Sequence, residues 1–411
     1  MKHVSFPDKS NSLILALLVL AIICTGCSEK SDKNGEQGNT VSIQSERVFY
    51  NIPGMMVTEK FALYRKDGLL RYFDTSTTQS IVYCFEPNCD HQAAPIDLAT
   101  GLKQGEDCPA YAMGSGVVSL HDNRSYFFLE PDSLYRADRE LKSRQLLVKI
   151  NEPIGLITGE LYAENEYFAA YCDEWEYTRI QSADGTVQWI PGDRAERRTC
   201  GVYRISLEDG TATCVLKIAE QYESFVLRMY AYDKKVYFLV SASDVPTESL
   251  PAPEENWEKY AIELAKHHII TVYGYDIESG SLQKILSDQP GGEIWFCDGF
   301  MVREAIDNQP SMVFRMNGEF VRDLDFNISG VACGDGEIVL WTWSDTLTYR
   351  AYEPESGAVL RTVTFSKDRE FQLRTIIGGS CYGYINHGQT LAFIRTEDFW
   401  SGATEKAIPM Q

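Results

Sequence analysis

Four residues near position 90 have side chains that bind soft metal ions. The stretch YCFEPNCDH contains Cys84, Cys89 and His91, and Cys108 follows in the sequence DCPA. Three thiolates and one imidazole are a ligand set that tetrahedral zinc prefers. Outside the cytoplasm, three cysteines can instead form one disulfide with one thiol left over. The sequence therefore leaves three hypotheses open: a structural zinc site, a disulfide within these cysteines, or residues that are only neighbours.

No motif typical of catalysis accompanies these residues. The sequence lacks G-x-S-x-G, H-E-x-x-H, a phosphate-binding glycine loop and a dinucleotide fingerprint. A zinc ion held by four protein ligands is structural, whereas catalytic zinc keeps an open position. Apart from structural zinc the sequence predicts no cofactor, and it favours a role other than that of an enzyme.

The remaining cysteines of the folded body are expected to be structural. Cys172 and Cys200 flank a long insertion between two predicted strands, where a disulfide between them would hold its base together. Four others lie within predicted strands and are expected to be buried as small hydrophobic residues. These four are Cys214, Cys297, Cys333 and Cys381.

The first 26 residues have the composition of a bacterial export signal. Positive charges precede an apolar run of eleven residues, LILALLVLAII, at positions 13–23. A transmembrane helix needs about 20 apolar residues, so this run is typical of a signal peptide. The sequence CTGC at 24–27 resembles a bacterial lipobox, in which the last cysteine is diacylated and becomes the mature N-terminus. We therefore predict a signal peptide over 1–26 and lipidation of Cys27; an uncleaved membrane anchor is the alternative.

The composition that follows the signal indicates a tethered acidic body. Residues 27–45 are polar and lack apolar periodicity, which predicts a disordered tether spanning roughly 20–25 Å. The whole chain has a net charge of −21, which becomes −22 without residues 1–26, since these hold two lysines and one aspartate. Such a body is repelled by nucleic acid and by anionic lipid. We expect a protein anchored by its acyl chains on the extracytoplasmic side of the bacterial cell membrane, with no nucleic-acid partner.

One pattern recurs through residues 46–411 and predicts the fold. Segments such as VYRISLEDGTATCVLKI from position 202 and VYGYDIESGSLQKILSD from position 272 each contain two alternating strands joined by a turn. This is the pattern of a β-hairpin, and another strand pair precedes each copy. Four short strands per repeat predict an all-β fold, a β-propeller of about seven four-stranded blades, although six or eight blades also fit the pattern. A series of β-sandwich domains is the alternative.

Two resemblances support this prediction. The repeat VYGYDIESGSLQKIL resembles blades of TolB-like and quinoprotein-like propellers. The stretch C-x4-C-x-H followed by CPA is similar to a motif, C-x-x-P-x-C-x-H and later C-[PN]-A, of exported bacterial lipoproteins with a predicted propeller body. In that comparison Pro87 and Ala110 match as well as the cysteines and the histidine. The resemblance implies export and a propeller, and it implies no particular activity.

Three insertions interrupt the repeat on what strand order predicts to be one face of the propeller. They are residues 85–111, which hold the cysteines and the histidine, 173–199, a predicted hairpin, and 244–268, which includes one short predicted helix. Long loops on a rigid scaffold commonly carry binding sites. Candidate binding residues on this rim are Trp175, Tyr177, Trp189, Trp257 and Tyr260.

These features predict a membrane-anchored lipoprotein whose propeller is a binding scaffold for a protein or a glycan. The alternative is a propeller enzyme that acts on an envelope or dietary glycan with carboxylates at the central channel. Long loops without any ligand are a further alternative.

Overall fold

Antiparallel strand pairing dominates the structure, which is a computed structural model. It describes residues 49–52, 55–92, 108–110, 119–121, 124–130, 133–138, 140–141, 143–150, 156–163, 166–172, 177–181, 187–191, 200–219, 222–251, 257–290, 292–306, 309–366, 370–386 and 388–410. The predicted signal peptide, Cys27 and the whole of the predicted tether lie outside the described residues. Among the described residues, no helix has both the length and the apolar character needed to cross a membrane.

Within the described residues, strands that follow one another in sequence pair into seven antiparallel meanders, of which the first four lie between residues 49 and 290. The first comprises β1 (Phe49–Ile52), β2 (Met55–Val57), β3 (Phe61–Lys66), β4 (Leu69–Asp74) and β5 (Gln79–Val82). The second comprises β6 (Ser119–His121), β7 (Arg124–Glu130), β8 (Ser133–Asp138) and β9 (Gln145–Lys149). The third comprises β10 (Leu156–Ala163), β11 (Glu166–Cys172), β14 (Cys200–Ser206) and β15 (Ala212–Lys217). The fourth comprises β16 (Tyr222–Tyr232), β17 (Lys235–Pro246), β18 (His268–Asp276) and β19 (Leu282–Pro290).

The last three meanders complete the series. The fifth comprises β20 (Ile294–Cys297), β21 (Phe300–Arg303), β22 (Met312–Arg315) and β23 (Phe320–Asp323). The sixth comprises β24 (Gly330–Gly334), β25 (Glu337–Trp343), β26 (Thr346–Glu353) and β27 (Ala358–Ser366). The seventh comprises β28 (Gln372–Ile377), β29 (Ser380–Ile385), β30 (Thr390–Arg395) and β31 (Ile408–Pro409). A parallel bridge between Cys333 and Thr375 joins the sixth and seventh meanders into one eight-stranded sheet.

Two insertions extend beyond this plan. The hairpin of β12 (Tyr177–Gln181) and β13 (Val187–Pro191) lies between β11 and β14, and forms its own two-stranded sheet. Helix α1 (Trp257–Lys266) lies between β17 and β18, where one short helix is predicted from the sequence. A second helix, α2 (Thr396–Ser401), lies between β30 and β31 and is missed by the sequence analysis. Its signal is weak because it is short, although Gly402 follows it with the left-handed φ of 80° that commonly ends a helix.

Tight turns set the register within the meanders. The first and second strands of the fifth and sixth meanders are joined by Asp-Gly pairs with positive φ at both residues. These are Asp298 (φ 43°) with Gly299 (φ 87°) and Asp335 (φ 52°) with Gly336 (φ 74°). Positive φ at both positions is the requirement of the type I′ turn that matches the twist of a hairpin, and Asp and Gly tolerate it.

Hydrophobic clusters between consecutive meanders identify the fold. Phe168 packs against Phe238 between the third and fourth, and Tyr237 packs against Phe296 between the fourth and fifth. Similar clusters join the second to the third, the fifth to the sixth and the sixth to the seventh. The seventh packs back on the first through a cluster that includes Tyr64 and Phe393. The prediction of a β-propeller with seven blades is confirmed, except that blade 1 has five strands.

Contacts between the two ends of the propeller close the ring. The rings of Phe73 in blade 1 and Phe393 in blade 7 lie 5.3 Å apart, and Met410 in the same cluster is 1% exposed. The guanidinium of Arg395 donates a hydrogen bond of 2.9 Å to the carbonyl oxygen of Thr75, 320 residues earlier. Strand β31, which completes blade 7, comes from the C-terminal end of the chain and pairs with β30 of the same blade. Blades 1 and 7 are therefore held together by side-chain packing and a few polar contacts.

Candidate metal centre and insertion face

The order of strands assigns the connections of each blade to one of two faces. The first strands of neighbouring blades run side by side and parallel, as the bridge between β24 and β28 shows. In an antiparallel meander, the loops from second to third strand and the crossovers to the next blade then share one face, which we call the insertion face. The loops from first to second and from third to fourth strand share the opposite face. In blade 1, β2 takes the position of the first strand and β1 is additional, since the β2–β3 turn at Glu59 lies against the β28–β29 turn at Gly378. Both insertions and the crossover that follows β5 therefore lie on the insertion face.

A tight turn in that crossover shapes the candidate metal centre. Cys84 lies two residues after the end of β5, and the amide of Cys89 donates to the carbonyl oxygen of Glu86 at 3.3 Å. Pro87 and Asn88 occupy the two central positions of this turn, and Asn88 has a φ of 60°. Proline followed by a residue with positive φ is the pattern of a type II turn. The turn reverses the chain between Cys84 and Cys89, so that both side chains reach the same site.

The four predicted ligands converge. One ligand atom from each of Cys84, Cys89, His91 and Cys108 lies within 4.8 Å of all the others. The Cys108 Sγ and His91 Nδ1 atoms are 3.7 Å apart. A tetrahedral zinc with these ligands requires separations of about 3.6–3.8 Å. The four ligand atoms can surround a metal ion if those that are farthest apart move together by up to about 1 Å.

The three cysteines of the cluster carry free thiols. Cys108 is 4% exposed, and burial together with the adjacent Cys89 and Cys84 thiols raises the pKa of Cys108 to about 12. Burial also raises the pKa of Cys84. Without a metal, these two thiols are therefore neutral at physiological pH. A bound divalent cation would stabilise the thiolate forms of Cys84 and Cys108, because its positive charge offsets the cost of burying their negative charges.

Backbone contacts attach the cluster to blades 1 and 2. The amide of Leu70, in β4, donates to the carbonyl oxygen of Ala110 at 2.9 Å, and the amide of Tyr83 donates to the carbonyl oxygen of Leu70 at 2.9 Å. From blade 2, the guanidinium of Arg144 donates to the carbonyl oxygen of Pro109 at 3.2 Å. Cys108 thus lies in a segment that contacts both blades. A metal bound there would link the two ends of the crossover, whose residues 93–107 lie outside the described part.

The second predicted cysteine pair lies at the base of the hairpin insertion. Cys172 and Cys200 are directly opposite each other in the register of β11 and β14. Cys200 is fully buried with a free thiol, and burial raises its pKa to about 12. The side chain of Cys172 is outside the described part, so the disulfide stays a prediction. Of the strand cysteines expected to be buried, Cys214 is exposed on the outer strand of blade 3, and that expectation is wrong.

The predicted rim residues occupy different environments. Tyr177 and Trp189 belong to β12 and β13, and Trp257 begins α1, but their side chains are not described, and Trp175 lies outside the described residues. Tyr260, in α1, is only 2% exposed. Because its side chain is buried, it is not accessible to a ligand in this conformation.

A polar contact that the sequence analysis missed closes the base of the helical insertion. The imidazole Nδ1 of His267 and the carboxylate of Asp244 lie 2.8 Å apart, and the amide of Asp244 donates to the carbonyl oxygen of His267 at 2.8 Å. Asp244 and His267 are 23 residues apart, so no local spacing could have identified this pair.

A pair of carboxylates lies on the insertion face of blade 5. Glu293 precedes β20 and Glu304 follows β21. The amide of Glu304 donates to the carbonyl oxygen of Glu293 at 2.9 Å, and the Glu293 carboxylate accepts a bond of 2.6 Å from Arg228. Burial, supported by the charge of Glu293, raises the pKa of the Glu304 carboxyl. The two acids therefore have different environments: Glu293 is paired with a cation and Glu304 is partly desolvated.

Comparisons with known proteins give a likeness of fold. No protein-family model matches this chain, and no curated protein matches it. Among solved structures, dipeptidyl peptidase 4 of Porphyromonas gingivalis aligns with a TM-score of 0.50 and 8% identity over 89% of this chain and 60% of that one. BamB from Moraxella catarrhalis aligns with a TM-score of 0.38 and 9% identity over 80% of each chain. An oligogalacturonate lyase in complex with manganese aligns with a TM-score of 0.38 and 14% identity, over 74% of this chain and 77% of that one.

These identities support conclusions about fold alone. This chain spans about 60% of the length of the peptidase, so the activity in that protein's name has no direct bearing here.

Proposed function

We propose that this protein is a lipid-anchored, extracytoplasmic propeller that binds a protein or a glycan on its insertion face. The lipobox-like sequence and Cys27 support the anchor, and the fold supports a rigid scaffold. The observation that carries the proposal is the unequal length of the loops between second and third strands.

Two neighbouring blades hold nearly all of this extra length. The loop of blade 3 comprises residues 173–199, 27 in number, and that of blade 4 comprises residues 247–267, 21 in number. The equivalent loops of blades 2 and 6 have only the two residues 131–132 and 344–345. Because two residues suffice to connect these strands, the additional residues are not required by the fold. Their concentration in adjacent blades of one face is typical of a binding surface.

Exposed apolar side chains occur on the same face. Ile262 on α1 is 52% exposed, and Trp343, at the end of β25, is 43% exposed. Leu227 and Phe225, in the early part of β16, are 44% and 37% exposed. Large apolar side chains beside a polar surface suit a partner that buries them, such as a protein or the apolar face of a sugar.

The Cys/His cluster serves this scaffold as a structural zinc site in our proposal. Its four protein ligands leave no position open for a substrate, which is the arrangement of structural zinc. The bound ion would hold the crossover between blades 1 and 2 on the insertion face. A disulfide within the same cysteines is the competing explanation, and metal analysis of the purified protein distinguishes the two.

Metabolic labelling tests the anchor. Cells grown with an alkyne fatty acid are expected to label the wild-type protein and the Cys214→Ser control, since Cys214 lies in the folded body. The Cys27→Ser variant is expected to lose the label and to leave the membrane fraction. Equal labelling of Cys27→Ser and wild type would refute lipidation at this residue.

Removal of the helical insertion tests the binding face. Ser243 and His268 are paired across β17 and β18, so an Asn-Gly turn can replace residues 244–267 without disturbing their register. We expect the shortened chain to fold and to lose capture of its partner from envelope extract or from a glycan array. The matched control is Leu360→Ser, on the opposite face, where Leu360 is 61% exposed. Binding that survives the deletion but is lost in Leu360→Ser would place the interaction on the wrong face for this proposal.

A second candidate function, an enzyme that acts on a glycan, is favoured by the Glu293 and Glu304 pair. Two carboxylates, one paired with a cation and the other partly desolvated with a raised pKa, can supply a base or nucleophile and a general acid in glycoside hydrolysis. Screening the protein against envelope and plant glycans, with Glu304→Gln as the inactive control, tests this candidate. Product release that is unchanged in Glu304→Gln would exclude Glu304 as the acid.

A further inference from the structure

Cys297 and Cys333 lie side by side in the interface between blades 5 and 6. Cys297 is the last residue of β20, and Cys333 is the last but one of β24, so both belong to the first strand of their blade. The Cys297 thiol lies 3.8 Å from the carbonyl oxygen of Ala332, and the Cys333 thiol lies 3.5 Å from that of Phe296. Each sulfur therefore contacts the backbone directly beside the other cysteine.

Their surroundings keep this pair dry and close together. Cys297 is 0% and Cys333 6% exposed, and both belong to the cluster that packs blade 5 on blade 6. Burial, and after it the neighbouring thiol of Cys333, raises the pKa of Cys297 well above its usual value.

Other described cysteines outside the metal cluster have different partners. The Cys381 thiol contacts the hydroxyl of Thr396 at 3.6 Å, and the pKa of Cys200 responds to the hydroxyl of Ser224. Cys214 donates to the carbonyl oxygen of Leu216 at 3.3 Å. Within this described set, the Cys297 and Cys333 thiols are the two that interact with each other.

We propose that Cys297 and Cys333 form a disulfide that links the first strands of blades 5 and 6. The proposal rests on the extracytoplasmic location proposed above, because cytoplasmic thiols are kept reduced. Both residues carry free thiols in this structure, and their oxidation would join segments 36 residues apart.

The oxidant in this step is a small-molecule or protein disulfide. The thiolate of one cysteine attacks a sulfur of that disulfide, which forms a mixed disulfide and releases one thiolate of the oxidant. The thiolate of the second cysteine then attacks the mixed disulfide, which forms the Cys297–Cys333 bond and releases the other thiolate. Two protons and two electrons leave the cysteine pair, and the oxidant is reduced to two thiols. Because both thiols are buried after folding, the exchange takes place before blades 5 and 6 have packed.

Peptide mapping of the full-length chain tests the bond. Protein extracted from membranes with detergent is denatured without reductant, alkylated with N-ethylmaleimide and digested with trypsin. The tryptic peptides 285–303 and 323–350 each contain one cysteine, so a linked pair has a unique mass. We expect the linked pair to be the dominant form and to separate after reduction. The variant Cys297→Ala should release an alkylated 323–350 peptide, and Cys381→Ala should keep the link.

A second sample separates this proposal from the proposed location. The same full-length chain is reduced, unfolded and refolded in a glutathione redox buffer. If neither sample contains the link and both peptides are alkylated, the pairing is wrong and the location is unaffected. If only the refolded sample contains the link, the two cysteines can form the bond but do not form it in the cell. That result would overturn the proposed disulfide and also the proposed oxidising location. A link between either cysteine and a different one would also overturn the proposal.

Discussion

Zinc binding at the Cys/His cluster should be strongly pH-dependent, and the structure sets the magnitude. The metal-free Cys108 thiol has a pKa of about 12, so its deprotonation at pH 7 costs about 7 kcal/mol. An ordinary thiol with a pKa of about 8.5 costs only about 2 kcal/mol. Burial of Cys108 alone thus adds a penalty of about 5 kcal/mol, and the raised pKa of Cys84 adds to it, whereas structural zinc sites gain about 10–16 kcal/mol. Zinc binding should therefore remain favourable but weaker than at a site with exposed thiols.

The direction of this pH dependence follows from the protons that zinc displaces from the thiols. Cys84 and Cys108 both have a raised pKa and bind protons at pH 7 in the metal-free protein. Zinc binding releases these protons, so these two thiols alone should raise the apparent affinity about 100-fold from pH 7 to pH 8, and the affinity should fall as the pH is lowered. Competition with a chromophoric chelator measures this slope. Calorimetry in buffers of different ionisation enthalpy counts the released protons directly.

Variants of single cysteines provide the control for this measurement. Cys108→Ala should abolish stoichiometric zinc binding, and a chelator should lower the melting temperature of the wild type but not of this variant. Cys214→Ala should behave like the wild type, because Cys214 is exposed and lies in blade 3, outside the cluster. Zinc binding that is independent of pH, or that persists in Cys108→Ala, would refute the proposed site.

Three other perturbations test the fold and the second candidate function. In Gly334→Ala, a Cβ atom would lie 1.5 Å from the carbonyl oxygen of Ile376, across the interface of blades 6 and 7. We expect the free energy of unfolding, measured with denaturant, to fall by about 3–5 kcal/mol. In Gly379→Ala the new Cβ meets no atom within 4 Å, so the free energy of unfolding should fall by only about 1–2 kcal/mol, because of the positive φ at this residue. Phe399→Ala removes a fully buried ring that contacts four other aromatic side chains, and it should cost about 3–5 kcal/mol. Trp343→Ala, at 43% exposure, should change the stability by no more than about 0.5 kcal/mol, and equal costs would show that the core is misassigned. The raised pKa of Glu304 shows that its charged form is unfavourable in the folded protein, so Glu304→Gln should raise the melting temperature at pH 8. This gain should disappear as the pH falls below the ordinary carboxyl range, where Glu304 is neutral in the folded and the unfolded protein. A gain that is larger at pH 4 than at pH 8 would contradict this.

Much of the fold could be predicted from local sequence because a propeller is built from short antiparallel hairpins. Alternation of apolar residues specifies strands, and Asp-Gly pairs such as Asp335 and Gly336 specify tight turns. Repetition of this pattern predicted about seven blades, and the helix predicted within the insertion 244–268 corresponds to α1. Each of these signals lies within about 15 residues of chain, where secondary structure is decided.

The candidate metal site was predictable for a related reason. Cys84, Cys89 and His91 are close in sequence, and the turn at Pro87 and Asn88 brings them together locally. Only Cys108 had to be brought in from a distance, and its position depends on the backbone bond between Leu70 and Ala110. Sequence pattern also indicated burial of Cys297 and Cys333, but it contained no sign that the two thiols meet.

Tertiary structure alone decided which distant residues are neighbours. The Arg395 contact with Thr75 that helps to close the ring, the pairing of Asp244 with His267, and the burial of Tyr260 all depend on how completed elements pack. The spacing of apolar residues and the secondary-structure propensity of each residue type depend only on the residue's own strand or helix. The partner of that residue across a blade interface depends on where all the blades lie. Sequence by itself therefore determined the repeating unit and the type of ligand set, and only the packed ring determined which side chains meet across it.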